Sequence, residues 1–241
     1  MEVPELLEEK TTTPAARWLG GMASAMPIVI GYVTIGFAYG VLANKAGLSM
    51  LNTLLMSVIV FAGSAQFIAV GLFAAGAPLL SIIATTFVVN LRHLLMSASI
   101  APKLQGWRKP ALAWFAFELT DETFGLHSGH FASHTPDPLW VFAANLTAQV
   151  AWVAGSWLGA SFGQLITDVR PYALDYALPA MFIALLVMQL RGGKTILVAA
   201  AAGVISTGLM LAGLDQWSVI LATILGATLG MGLELWTNKE S

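Results

Sequence analysis

Long apolar runs follow one another along almost the whole chain, separated by short breaks rich in glycine, proline and charged residues. A helix that crosses a bilayer needs about 20 mostly apolar residues. No run alternates apolar and polar residues with a period of two, so helices are predicted rather than strands. The pattern therefore predicts an all-α polytopic membrane protein with about seven or eight transmembrane helices. The candidate spans are 20–43, 51–75, 78–101, 111–133, 139–163, 175–191, 195–213 and 216–236.

Composition supports this class of protein and excludes several functions. Hydrophobic residues make up 57% of the 241 residues and charged residues only 10%, whereas roughly a quarter of a soluble domain is charged. The formal net charge is −2, so nothing indicates binding to nucleic acid. Cysteine is absent, which excludes disulfides, thiol catalysis and cysteine-bound metals. No cofactor is predicted.

The spans leave no room for a soluble domain. We expect an acidic N-terminal tail over 1–19, a single transmembrane transport domain over 20–236 and a short C-terminal tail over 237–241. The first residues lack a basic segment, so no cleaved signal peptide is expected. Lysine and arginine divide evenly between the two sides of an eight-span topology, and the orientation stays open.

A faint internal repeat joins two parts of the chain. The sequence at 63–67, Gly-Ser-Ala-Gln-Phe, resembles Leu-Thr-Ala-Gln-Val at 146–150, and the same offset of 83 residues carries Pro27 onto Pro110. Two units of three helices, 20–101 and 111–191, followed by 195–236, would form an inverted repeat with broken helices near the midplane, as in many secondary transporters. Chance is the alternative, because short matches of small residues are common in apolar chains.

Five ionisable residues lie near the middle of the third and fourth predicted spans: Arg92, His93, Glu118, Asp121 and Glu122. Each charge at mid-membrane costs about 2.5–3.5 kcal/mol on insertion scales. The three acidic residues are spaced i, i+3 and i+4, which predicts one helical face opposite Arg92. A structural salt bridge is the simplest reading. One arginine cannot neutralise three carboxylates, however, so we expect a proton or a substrate ammonium to neutralise the remainder.

Neutral polar residues accompany the charges at similar predicted depth. Buried amides and hydroxyls must find hydrogen-bond partners, and the small residues around them allow either close helix packing or a local break. Pro27 and the glycines of the first span are likewise compatible with two structures, a hinge within the helix or a face that packs closely against another helix. The neutral candidate site residues are Ser64, Gln66, Asn90 and Gln149, with His93 on the same stripe as Asn90.

Three histidines near a helix end raise the question of a metal site. His127, His130 and His134 have spacings that suit metal ligands, and Asp137 is nearby. They precede Thr-Pro-Asp-Pro, which is typical of a turn. An interfacial loop is therefore the favoured interpretation, and no metal site is predicted.

Three motifs together resemble the AzlC family, the large subunit of bacterial branched-chain amino acid exporters. They are Phe-Ala-Gly-Ser-Ala-Gln-Phe at 61–67, Asn-Leu-Arg-His at 90–93 and Thr-Asp-Glu-Thr-Phe at 120–124. The resemblance implies export of valine, leucine, isoleucine and often methionine across the bacterial cytoplasmic membrane by a multi-pass protein. It also implies a second, small membrane subunit of the AzlD type as partner.

The residues and the resemblance lead to one main hypothesis, a proton-coupled secondary exporter of apolar amino acids. Asp121 or its acidic neighbours would receive the substrate ammonium, and Arg92 or the amino end of a broken helix near Gln66 would receive the carboxylate. The side-chain pocket would be lined by Phe61, Phe67 and Phe87.

Two alternatives come from other classes of protein. One is a channel or a non-catalytic membrane partner. The other is an intramembrane hydrolase that uses Ser64 and His93, although the serine lacks the glycine-flanked elbow of such enzymes.

Overall fold

The computed structural model describes residues 13–166, 168–173, 176, 179–180, 183, 186–187, 190 and 192–237. Side chains at 215–217, 219–220 and 236–237 are not described. The chain divides into two compact units, Met1–Leu178 and Pro179–Ser241. The predicted all-helical class is confirmed, because the described residues form helices and turns without strands. Most of the predicted span 175–191 lies outside the described residues.

Two long helices form the centre of the first unit: α1, Pro14–Lys45, and α7, Pro138–Phe162. Both begin at a proline preceded by a capping side chain, which accepts a hydrogen bond from the backbone just inside the helix. Pro27 lies inside α1 without ending it. The two helices pack along their length.

Glycines allow the backbones of α1 and α7 to touch. A Cβ atom added to Gly36 of α1 would lie 2.9 Å from the Trp152 carbonyl oxygen. A Cβ added to Gly155 of α7 would lie 2.7 Å from the Val33 carbonyl oxygen. Close approach through small residues is a usual way of packing helices in lipid. Gly36 and Gly40 of the first span thus form a packing face, whereas a Cβ at Gly31 would meet nothing within 4 Å.

The second predicted span is not one continuous helix. It consists of α2, Met50–Leu55, a π-helical turn over Met56–Val60, and α3, Gly63–Ala74. Phe61 has φ 42°, in the left-handed region, and Ala62 has φ −135° and ψ 86°. The left-handed conformation of Phe61 is strained for a residue with a side chain. The surrounding packing stabilises it, because Phe61 is buried in one apolar cluster with Tyr32 and Trp152.

The fourth predicted span is also broken. Helix α5, Lys109–Phe117, ends before Glu118, and α6, Asp121–His130, begins after Thr120. Thr120 caps α6, because its hydroxyl oxygen accepts a hydrogen bond from the Thr123 backbone N–H, and the Thr123 hydroxyl oxygen accepts one from the Thr120 backbone N–H. The cap and two acidic residues in the first turn stabilise a helix start inside the apolar segment. The candidate span 111–133 therefore contains two helices instead of one.

The remaining helices match the predicted spans more closely. Helix α4, Leu79–Ile100, continues as a 3₁₀ turn over Ala101–Leu104. The second unit contains α8, Gly193–Leu211, and α9, Asp215–Thr237, which pack against each other. By length and composition, three described helices suffice to cross a membrane: Pro14–Lys45, Leu79–Leu104 and Gly193–Leu211.

The two breaks do not occupy equivalent positions of the predicted repeat. The offset of 83 residues carries 61–62 onto a continuous part of α7, and it carries 35–37 of the continuous α1 onto the break at 118–120. The inverted repeat and the single transport domain remain predictions.

Candidate functional site

Arg92 of α4 joins the two helix breaks. Its Nη2 atom lies 2.9 Å from Asp121 Oδ2 and also donates a hydrogen bond to Ser64 Oγ. Asp121 is the first residue of α6 and Ser64 is the second residue of α3. One guanidinium therefore binds the first turns of both helices that follow a break. Of these two contacts, the one with Asp121 was predicted from the sequence.

Tyr32 of α1 binds the same region from the other side. Its hydroxyl oxygen lies 2.7 Å from Glu122 Oε2 and 2.6 Å from Thr120 Oγ1. Because a phenol has one proton, donation to the carboxylate leaves the Tyr32 oxygen to accept from the threonine. Glu122 thus accepts a hydrogen bond from a neutral donor, whereas Asp121 forms an ion pair with a cation.

Glu118 differs from the other two carboxylates. It follows the last residue of α5, so it does not share a helical face with Asp121 and Glu122, and the prediction of one acidic face was wrong at this residue. Its side chain is 0% exposed. Within the described part of the chain, neither of its carboxylate oxygens makes a hydrogen bond of normal geometry, and the side chains of Asn145 and Trp114 are the donors that approach it.

A second buried polar pair lies between α6 and α7. The Nε2 atom of His127 is 2.7 Å from Asn145 Oδ1, and both residues are fully buried. Asn145 Nδ2 and His127 Nδ1 have no hydrogen-bond partner among the described residues. These two atoms and the Glu118 carboxylate are unusual, because buried polar atoms are normally paired.

A cavity of about 180 Å³ lies where the two breaks meet. A cavity of about 150 Å³ is known to hold a molecule of benzene size, so this space suits a small ligand. Its walls combine apolar side chains with one amide and one imidazole. They are formed by Val60, Phe61, Ala62, Asn90, His93, Ala116, Phe117 and Leu119.

The cavity lies between helix ends of opposite polarity. Ala62, on one wall, immediately precedes α3 and supplies no side-chain cap. The first N–H groups of a helix lack intrahelical partners and carry partial positive charge. Ala116 and Phe117, on another wall, end α5, where the last carbonyl groups carry partial negative charge. Asn90 adds a buried Oδ1 acceptor that has no partner in the described residues.

The structure brings some predicted site residues together at this place. Ser64, Arg92, Asp121 and Glu122 form the charged cluster, and Phe61, Asn90 and His93 line the cavity. The His93 ring Nδ1 is 3.2 Å from the Asn90 carbonyl oxygen, within the same helix.

Other predicted site residues lie elsewhere. Gln66 is buried in a separate network, where it donates to Ser57 and accepts from Trp152, each at 3.1 Å. Gln149 donates to the Val58 carbonyl of the π-helical turn at 3.2 Å. Neither glutamine is among the residues that line the cavity.

Two predicted pocket phenylalanines also lie outside the cavity. Phe67 packs in the core with its ring centroid 5.7 Å from that of Tyr39. Phe87 is 65% exposed on the outer face of α4. Neither belongs to the cavity lining, whereas Phe61 does.

The residues of the hydrolase alternative do not form a catalytic pair. Ser64 Oγ accepts a hydrogen bond from Arg92, and His93 bonds within its own helix. No hydrogen bond joins Ser64 to His93 in the described residues. The expected activation of a serine by a neighbouring base is thus not present in this arrangement.

The three histidines separate into two environments. His127 is buried beside Asn145, whereas His130 stacks on Trp140 with centroids 3.8 Å apart and on His134 at 4.3 Å. No group of three metal-binding side chains occurs within the described ranges. Asp137 caps α7 and pairs with Arg17 at 3.2 Å.

Three residues of the site were not predicted from the sequence: Tyr32, His127 and Asn145. No spacing pattern marks Tyr32 in α1, whereas Asn145 lies four residues before Gln149 in α7, and that helical spacing could have indicated it. Thr120 belongs to the motif at 120–124, and a threonine followed by two acidic residues is a signal for a helix start that could have indicated its role as a cap.

Comparisons with known proteins place the chain in a family. The family model described as "AzlC protein" matches residues 27–166. The inner membrane protein YgaZ of Escherichia coli strain K12 is 30% identical over 93% of both chains. An uncharacterized membrane protein of Archaeoglobus fulgidus is 33% identical over 89% of this chain and 94% of its own.

A third relative has a more specific name. The branched-chain amino acid transport protein AzlC of Bacillus subtilis is 30% identical over 68% of this chain and 64% of its own. No solved structure is significantly similar to the chain. The predicted family resemblance is confirmed, and this chain, a helical membrane protein, belongs to the AzlC family.

Proposed function

We propose that this protein is a secondary transporter that exports branched-chain and similar apolar amino acids across the bacterial cytoplasmic membrane. Membership of the AzlC family and the name of the Bacillus relative support a transport function. The single observation that carries the choice of substrate is the cavity between two helix ends of opposite polarity. Valine, leucine, isoleucine and methionine are the expected substrates.

An amino acid zwitterion matches this cavity at both of its charges. The carboxylate binds the N–H groups at the amino end of α3, as anions do at helix N-termini. The ammonium binds at the carboxyl end of α5, with the free Asn90 Oδ1 as a further acceptor. Val60, Phe61 and Leu119 surround the apolar side chain.

The Arg92–Asp121 pair has a different role in this proposal from the one expected from the sequence. The two charges neutralise each other at 2.9 Å, so they hold the two breaks together and shape the cavity. The helix ends, rather than these side chains, receive the two charges of the substrate.

Removal of the negative charge from the Arg92–Asp121 ion pair gives the first test. In Asp121→Asn, Arg92 keeps its charge in a partly buried place without a counter-ion, which is strongly destabilising. We expect loss of labelled-leucine counterflow in proteoliposomes, while Asp168→Asn, an exposed carboxylate, keeps it. Normal counterflow by a well-expressed Asp121→Asn protein would contradict the role of the pair.

A small AzlD-type membrane subunit is proposed as the partner of the exporter. Counterflow is therefore to be measured with the chain alone and with the co-purified small subunit. Counterflow that requires the second subunit supports the partnership. Flux that does not saturate, with no counterflow under either condition, would favour the channel alternative.

A further inference from the structure

The three carboxylates beside the cavity differ in how their charge is balanced. Asp121 pairs with Arg92, and Glu122 accepts from Tyr32. Glu118 is fully buried and pairs with no cation within the described residues, and only the neutral side chains of Asn145 and Trp114 approach its carboxylate as donors. An ionised carboxylate without a cation beside it is costly in an apolar interior, so burial favours the neutral form until a positive charge comes close.

The position of Glu118 in the fold is a second reason why its carboxylate attracts a proton or another cation. It follows the last residue of α5, where the aligned peptide dipoles place negative charge. A carboxylate there is repelled by the helix end, whereas a proton or another cation is attracted. The residues on both sides of Glu118, Phe117 and Leu119, line the cavity. Glu118 therefore adjoins the end of the cavity where we place the substrate ammonium.

The titratable groups on the surrounding helices are otherwise occupied. Tyr32 of α1 binds Glu122, Arg92 of α4 binds Asp121, and His93 bonds to the Asn90 carbonyl. On α6 and α7, His127 bonds to Asn145, and His130 stacks between Trp140 and His134. Asp137 pairs with Arg17. No charged side chain in the described part of the chain makes an ion pair with Glu118.

We propose that Glu118 binds the coupling proton, and that this proton and the substrate ammonium exclude each other at the carboxyl end of α5. The inference rests on the proposed function for the identity of the competing cation. Glu118 takes up one proton as its carboxylate becomes a carboxylic acid, and it releases that proton when an ammonium enters the cavity. Two positive charges in a place of low dielectric repel strongly, so occupation by one favours departure of the other.

Competition of this kind produces exchange. A protein that carries either a proton or an amino acid past the same point moves them in opposite directions. The inward proton gradient then drives the amino acid outward. Asn145, whose side chain approaches the Glu118 carboxylate, is a positioning residue next to this site, because His127 fixes the orientation of its amide.

The transport test uses the full chain in proteoliposomes, together with the small subunit if counterflow requires it. Glu118→Gln keeps the size of the side chain and cannot take up the proton. The readout is the ratio of leucine counterflow with an imposed pH gradient to counterflow without it, and we expect this ratio to fall from about tenfold or more in the wild type to about one in this variant. Asp168→Asn, an exposed carboxylate, is the matched control and keeps both activities.

Two transport results would overturn the proposal. One is gradient-driven efflux by Glu118→Gln at the wild-type rate. The other is efflux that follows an imposed sodium gradient at constant pH. Glu118→Asp, which keeps the carboxyl group on a shorter side chain, should retain a measurable response to the pH gradient and guards against a folding defect in Glu118→Gln.

A second readout does not depend on transport. Infrared difference spectra between neutral and acidic pH should show a buried carboxylic acid band that is absent in Glu118→Gln and present in Asp168→Asn. A wild-type protein without leucine counterflow would refute the proposed function, and the infrared band would still decide whether Glu118 takes up a proton. An unchanged band in Glu118→Gln would overturn the proton site.

Discussion

Arg92 shows how one residue combines structure and function in this protein. A guanidinium in a membrane helix is costly unless it is paired, and here it binds Asp121 and Ser64, which begin two different helices after their breaks. The pairing of Arg92 with Asp121 followed from the charges alone. The second partner, Ser64, did not, because a sequence pattern gives no reason for a serine at 64 to face an arginine at 92.

Tyr32 provides a prediction at the same scale. Tyr32→Phe removes the hydroxyl next to Glu122 and Thr120, and a buried acceptor without its donor costs about 1–3 kcal/mol. We expect leucine counterflow to fall by about tenfold, because 1.4 kcal/mol corresponds to that factor. Initial rates in proteoliposomes at equal protein content measure it.

Tyr39→Phe is the control for Tyr32→Phe. Tyr39 is another fully buried tyrosine of α1, and its hydroxyl is 3.5 Å from the Thr53 carbonyl oxygen and away from the charged cluster. Equal losses in the two variants would show that the Tyr32 hydroxyl has no special role at the site.

At the scale of elements, the breaks between α2 and α3 and between α5 and α6 determine where the cavity and the charged cluster form. The second break can be read from the sequence after the fact, because Leu-Thr-Asp-Glu-Thr at 119–123 has the cap and the acidic first turn of a helix start. The regular spacing of the acidic residues suggested one continuous helix instead. The break at Phe61 has no such signal, since a left-handed phenylalanine is held by tertiary packing and not by local preference.

The glycine contact between α1 and α7 gives a prediction at this scale. Gly36→Val places a branched side chain against the Trp152 carbonyl, and overpacking of this kind costs typically about 1–3 kcal/mol. We expect a lower melting temperature and loss of monodisperse protein in detergent. Size-exclusion chromatography after a heating series measures both.

Gly31→Val is the matched control, because a Cβ at Gly31 of the same helix would meet nothing within 4 Å. Both substitutions change the helix propensity of α1 equally. A melting temperature that falls as much in Gly31→Val as in Gly36→Val would contradict the close packing of α1 on α7.

At the scale of the whole molecule, composition and the spacing of apolar runs were sufficient for the helical membrane class. Most helix bounds also followed, since long apolar runs between turn residues leave few alternatives. The buried polar pairs between helices did not follow. Asn145 and His127, for example, come from helices that meet only in the folded protein, and contacts of that kind leave no trace in the spacing of a single sequence.

The central claim is that the cavity between the two breaks binds an apolar zwitterion by both of its charges. The most direct test is competition with labelled-leucine counterflow in proteoliposomes by two analogues of leucine, 4-methylpentanoate, which lacks the ammonium, and 3-methylbutylamine, which lacks the carboxylate. We expect unlabelled isoleucine and valine to compete and both analogues to fail at the same concentrations, because each leaves one helix end without its partner. Competition by either analogue as strong as that of isoleucine would contradict the account.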